Sequence, residues 1–245
     1  VSPTESVGEI WSRATATQPP PEPGLVLFIA IVALLLVLFP TTWHWVRHLV
    51  TVVHEAGHAF VALLVGRRLS GIRLHSDTSG LTVSRGRPSG PGMVAMLAAG
   101  YLAPAVVGLG AASLLAAGHA LAVLWLLLVA LVLMFVQIRN WYGALVLLVI
   151  GGGVFAITWW LSPVWQSSVA YVITWSLLLA APKPVLELMA QRRGGRRTGS
   201  DADQLARHTP LPAGLWVALF LLANLAGLVV GVTTLLPGLG GQLLR

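Results

Sequence analysis

The chain of 245 residues is 56% apolar and only 9% charged, against about 25% charged residues in a soluble domain. This excludes an ordinary soluble globule and a disordered chain, and the absence of Cys excludes disulfides, thiolate metal sites and a Cys nucleophile. The formal charge of +7 sits on a chain too apolar for a nucleic-acid-binding surface, so its basic residues mark cytoplasmic loops and contacts with anionic lipid.

Residues 1–24 are polar and Pro-rich, lack the basic start of a secretory signal peptide, and predict a flexible tail. Seven apolar segments follow, near residues 25–41, 43–65, 92–117, 119–138, 141–161, 164–181 and 214–236. Each approaches the roughly 20 residues that cross a hydrocarbon core. The first is short and meets the second at a tight Pro40-Thr41-Thr42 turn, so six to seven transmembrane helices are expected. In the polar stretch 66–90, Ile72 and Leu74, then Leu81 and Val83, alternate with polar neighbours around Ser76-Asp77-Thr78-Ser79-Gly80, which predicts a β-hairpin. Gly100, Pro104 and Gly108 recur every four residues in the third segment, a small-residue stripe suited to close helix packing. Residues 183–213 predict a basic loop leading to the last span. The fold class is therefore an all-α polytopic membrane protein, one transmembrane domain over 25–245 with a membrane-associated hairpin. With seven crossings and the N-terminus inside, every basic residue except Arg47 and Arg245 falls inside, so the positive-inside rule predicts a cytoplasmic N-terminus and an external C-terminus.

The second segment contains His54-Glu55-Ala56-Gly57-His58, an H-E-x-x-H motif. On a helix the two imidazoles lie one turn apart on one face and can share a Zn²⁺. Glu55, about 100° round the helix, reaches a metal-bound water without being a ligand. Zinc lowers the pKa of that water to about 7, the Glu takes its proton, and hydroxide attacks a carbonyl carbon. By composition about 0.004 such motifs arise by chance in this chain. Ionisable residues within an apolar span cost several kcal/mol unless paired or hydrated. A buried packing cluster or proton relay is the competing explanation. His44 and His48, beside Trp43 and Trp45, fit an interfacial aromatic belt.

The motif helix resembles that of the site-2 proteases, intramembrane zinc metalloproteases. The stretch Gly66-Arg67-Arg68 through Ile72-Arg73-Leu74-His75 to Ser79-Gly80-Leu81-Thr82 resembles the β-hairpin those enzymes place after the motif helix. Gly100-Tyr101-Leu102-Ala103-Pro104, Arg139-Asn140 and Ser200-Asp201-Ala202-Asp203 are similar to the compact, PDZ-less bacterial and plant branch, M50B-like peptidases. The resemblance implies one Zn²⁺ per chain, held by His54, His58 and a downstream Asp. The larger enzymes' Asn-Pro-Asp-Gly or Leu-Asp-Gly is missing here, which leaves Asp201, with Asp203 as the alternative. Ser200 with Asp203 also reads as a helix-capping box. Substrates would be single-span membrane proteins such as anti-sigma factors or remnant signal peptides, cut in regulated intramembrane proteolysis, with the enzyme in a bacterial cell membrane.

An extended substrate is expected to add to the hairpin edge at Ile72, Arg73, Leu74 and His75 or at Leu81, Thr82 and Val83. Asn140 is a possible oxyanion donor or an interfacial hydrogen-bonding residue, and Asn224 an interhelical hydrogen bonder. Asp77 reads as a turn former. The basic run at 192–197 lacks the interleaved aromatics of a nucleic-acid surface. Two other functions stay open: a zinc hydrolase of another amide or a lipid, and a non-catalytic membrane scaffold or transporter.

Overall fold

Proline has no N–H and is accommodated in the first turn of a helix. Pro23, Pro40, Pro91, Pro163 and Pro182 each stand at such a start. The computed structural model describes residues 8, 9, 11, 12, 14–194 and 199–238. Helix α1 (Pro23–Leu38) stops at Phe39, and α2 (Pro40–Leu64) leaves at 99° to it. The last carbonyls of α1 have no following helical N–H, so they find partners across the bend. The Thr42 hydroxyl donates to the Leu36 carbonyl at 2.8 Å, and the Lys183 ammonium donates to that of Val37.

Strands β1 (Arg68–Leu74) and β2 (Gly80–Arg85) pair antiparallel, Ile72 opposite Thr82 and Leu74 opposite Gly80, with an irregularity between Leu69 and Gly71. Gly71 has φ +139°, and a Cβ there would lie 2.3 Å from Cγ of Arg139, so both backbone and space require glycine. In the turn, Asp77 accepts from the Ser79 hydroxyl at 2.6 Å and the Ser79 amide at 3.0 Å. These bonds hold its carboxyl below the usual range, as suits a turn-forming Asp.

The outer edge of β1 is occupied. Ile138 bridges Ile72, the Arg139 amide donates to the Ile72 carbonyl at 2.9 Å, and the Asn140 side chain exchanges two hydrogen bonds with the Leu74 backbone. Among the described residues the sheet has two strands, and no third strand lies on β2.

Helices α3 (Pro91–Ala116), α4 (Ala120–Gln137), α5 (Trp141–Trp160) and α9 (Ala213–Leu235) are each long and apolar enough to cross a membrane, as is the run Pro163–Arg193 that α6 (Pro163–Ala180) opens. The bent α1–α2 pair raises these five to six if its two helices count as one span. The protein is thus an all-α polytopic membrane protein with a small hairpin. Between α6 and α9, where the sequence predicts a loop, lie α7 (Pro182–Arg193) and α8 (Asp201–His208). Their apolar residues Val185, Leu188, Ala202 and Leu205 are buried with Ala62, Leu97, Val217 and Phe220. Close approach between spans uses small residues: a Cβ on Gly108 or Gly231 would lie 2.9 or 2.5 Å from the Leu178 side chain.

The connections define two faces. One gathers residues 14–25, the α3–α4 and α5–α6 turns and the end of α9: the Gln18 amide donates to the Gly118 carbonyl at 2.7 Å, and Pro20 and Pro21 line a cavity with Ala116 and Leu235. The other gathers the hairpin, the α4–α5 turn and residues 181–194 and 199–212, and there lie Arg67, Arg68, Arg73, Arg85, Arg87, Arg139, Lys183, Arg192, Arg193 and Arg207. Two expectations from sequence are therefore incompatible in this fold. The contacts of residues 16–21 put the tail on the face opposite the basic loops, so a cytoplasmic N-terminus would put the basic loops outside. Arg13, Arg196, Arg197 and Arg245 fall outside the described residues.

Candidate metal centre

His54 and His58 project from one face of α2, their ring centroids 4.7 Å apart and their planes at 85°. Their Nε2 atoms are 3.1 Å apart, and each lies 3.2 Å from Oδ2 of Asp201. The three atoms form a nearly equilateral triangle. Tetrahedral zinc with bonds of roughly 2.0–2.1 Å requires ligand atoms about 3.3 Å apart, so the triangle fits one face of such a tetrahedron. Nδ1 of His58 lies 2.7 Å from the Met96 carbonyl. A carbonyl only accepts, so Nδ1 carries the proton and Nε2 turns a lone pair to the centre of the triangle, as metal-bound imidazoles do. Two imidazoles and one carboxylate suit a divalent cation.

The packing around the rings depends on the absence of side chains. A Cβ on Gly100 of α3 would lie 2.3 Å from Nε2 of His58 and 2.7 Å from Cε1 of His54, and one on Gly57 would lie 2.5 Å from Cβ of Ala103. Gly108 of the same stripe packs a helix, as sequence predicts, whereas Gly100 makes room for imidazoles. The Tyr101 ring stands edge-on to His54, centroids 4.9 Å apart, and is itself stacked on Phe220. The Asn224 amide donates to the Tyr101 carbonyl at 3.1 Å, joining α9 to α3.

Asp201 arrives from far along the chain, as the first residue of α8. Ser200 and Asp203 form a capping box there, and Asp203 also pairs with Arg192 of α7. The two candidate aspartates thus have different surroundings: Asp201 joins the histidines, while Asp203 holds the start of its helix.

Glu55 is buried against the hairpin. Its Oε2 accepts from the Thr82 hydroxyl at 2.6 Å, and a Cβ on Gly80 would lie 2.5 Å from its Oε1. The sequence places Thr82 among substrate-binding candidates but does not connect it, or Gly80, to Glu55. Strand alternation names the two faces of β2 without saying which one meets α2.

The remaining candidates lie elsewhere. Ile72 and Leu74 are buried in a cluster with Val52, Leu131 and Leu147, and the edge they share with Arg73 is taken by residues 138–140. The Asn140 amide binds the Leu74 backbone through both its oxygen and its nitrogen, so it ties the α4–α5 turn to the hairpin. His75 is in the turn, its Nδ1 3.2 Å from the Ser79 hydroxyl. Leu81 and Val83 are exposed on the free strand. His48 is not an exposed belt residue: it is buried, with Nε2 2.7 Å from the Tyr142 hydroxyl.

The Peptidase M50B-like family model matches residues 27–231. No curated protein and no solved structure matches the chain. The match covers most of the sequence, running from within α1 to within α9 and including the whole candidate centre, so the chain belongs to the M50B-like peptidases, a family of zinc metalloproteases.

Proposed function

We propose that this membrane metallopeptidase cuts peptide bonds in or near the transmembrane segments of single-span proteins, with one Zn²⁺ held by His54, His58 and Asp201. The observation that carries the reading is the 3.1–3.2 Å triangle of donor atoms beside a buried Glu55. When bound there, zinc supplies a Lewis acid that polarises water and the scissile carbonyl. Glu55 accepts a proton at its carboxylate as water attacks, then returns it to the departing amine nitrogen. The His54 side chain keeps 20% exposure and that of Asp201 14%, so the protein does not fully enclose the ligand side chains.

A helical substrate shields its own peptide bonds and must be drawn out before attack. The free edge of β2, with Leu81 and Val83 exposed beside it, suits a peptide pairing as an added strand. β1 has no such edge to offer, which narrows the docking segment to Leu81–Arg85.

Substituting Glu55→Gln tests the assignment. The variant is expected to retain one zinc per chain while cleavage of a co-expressed single-span substrate is abolished. Normal turnover by the variant would contradict the role of Glu55.

A further inference from the structure

Along β2 the side chains divide. Leu81 and Val83 are 50% and 42% exposed, whereas Gly80, Thr82 and Ser84 face the helices. The Thr82 hydroxyl lies 2.6 Å from Oε2 of Glu55 and 3.2 Å from the Glu55 carbonyl. A threonine hydroxyl has one proton to give, and the shorter contact, to a carboxylate, is the stronger. Gly80, two residues earlier on the same face, lies against the other oxygen, where a Cβ would be 2.5 Å from Oε1 and 2.7 Å from Cδ. One strand therefore grips both oxygens of a buried carboxylate. A free Glu side chain spreads over many rotamers, and holding it removes that spread before the reaction begins.

We infer that Thr82 is a positioning residue for the general base: its hydroxyl holds Oε2 and so fixes the carboxylate's rotamer. The inference rests on the peptidase reading above. It adds that the strand proposed to take the substrate along its outer edge also sets the base from its inner face. Peptide and base are then both tied to one strand.

The test uses the full-length, zinc-loaded protein and a synthetic transmembrane peptide. Thr82→Val keeps the shape and removes the hydroxyl; Thr82→Ser keeps the hydroxyl. Thr82→Val is expected to lower kcat roughly 10- to 100-fold, with KM and zinc content little changed, and Thr82→Ser to regain most of the rate. Wild-type kcat in Thr82→Val, a loss residing in KM or zinc content, or a Thr82→Ser as slow as Thr82→Val overturns the inference. If the zinc-loaded wild type leaves the peptide intact, the peptidase reading fails instead. Positioning is then read from the infrared carboxylate stretch assigned to Glu55 by subtracting the Glu55→Gln spectrum. A band that shifts in Thr82→Val and stays in place in Thr82→Ser supports the inference, and an unshifted band in Thr82→Val overturns it.

Discussion

At the scale of the residue, the centre is defined as much by what is missing as by what is present. His54 and His58 supply the lone pairs, but Gly100 supplies the space: a Cβ there would sit 2.3 Å from Nε2 of His58, well inside any non-bonded contact. Because His58 is also tied through Nδ1 to the Met96 carbonyl, its ring has little freedom to step aside. Gly100→Ala is therefore expected to weaken zinc binding by roughly 10- to 100-fold, measured by competition against a chelator of known affinity. An alanine variant that binds zinc as the wild type does would show that the ring relaxes at no cost. The histidine pair is legible in sequence because i, i+4 spacing is local geometry. The role of Gly100 is not, since a small-residue stripe reads the same whether it meets a leucine, as Gly108 does, or an imidazole. Thr82 is concealed for a similar reason: its partner Glu55 is fixed by how the hairpin docks on α2.

At the scale of the element, α8 is a short helix with one task, to bring a carboxylate to a site built on α2. Ala202 and Leu205 anchor it in the apolar cluster under α9, and the Ser200–Asp203 capping box with the Arg192 pair fixes its first turn. A cap contributes about 0.5–2 kcal/mol to a helix end, enough to matter when the residue beside it must hold its place. Asp201→Ala is expected to leave the purified protein without zinc. Asp203→Ala is expected to retain zinc at lower affinity, because the ligand survives while its support is loosened. Metal analysis after dialysis separates the two, and a loaded Asp201→Ala beside an empty Asp203→Ala would exchange their roles. The capping signal is readable in the sequence at Ser200, yet the region 183–213 still reads as a loop. Its charges hide two helices whose apolar faces are only two residues wide, Val185 with Leu188 and Ala202 with Leu205. The hairpin, by contrast, follows directly from alternation around a turn-forming cluster. Its third partner, residues 138–140, does not, because pairing across about 65 positions leaves no local trace.

At the scale of the whole molecule, the apolar runs place the spans within a few residues, since bilayer thickness sets their length whatever they pack against. What hydropathy does not register is direction. The runs at 25–41 and 43–65 count as two crossings in sequence, whereas the structure joins them at a 99° bend that lets them count as one, and a change of one in the count reverses the predicted side of the tail. Charge then decides the orientation. No Lys or Arg occurs among the described residues of the face that carries residues 14–25, and ten lie on the face with the hairpin and the candidate centre. The positive-inside rule puts that second face in the cytoplasm. The tail is thus expected outside, and the water supply to Glu55 and the docking strand β2 inside. The chain has no native Cys, so single-cysteine variants report on one position each. In intact spheroplasts a membrane-impermeant maleimide should label Thr15→Cys in the tail and leave Ser89→Cys, beside the hairpin, unlabelled until the membrane is permeabilised. The opposite pattern would mean that the basic face lies outside, and the direction from which substrate and water reach the centre would reverse with it.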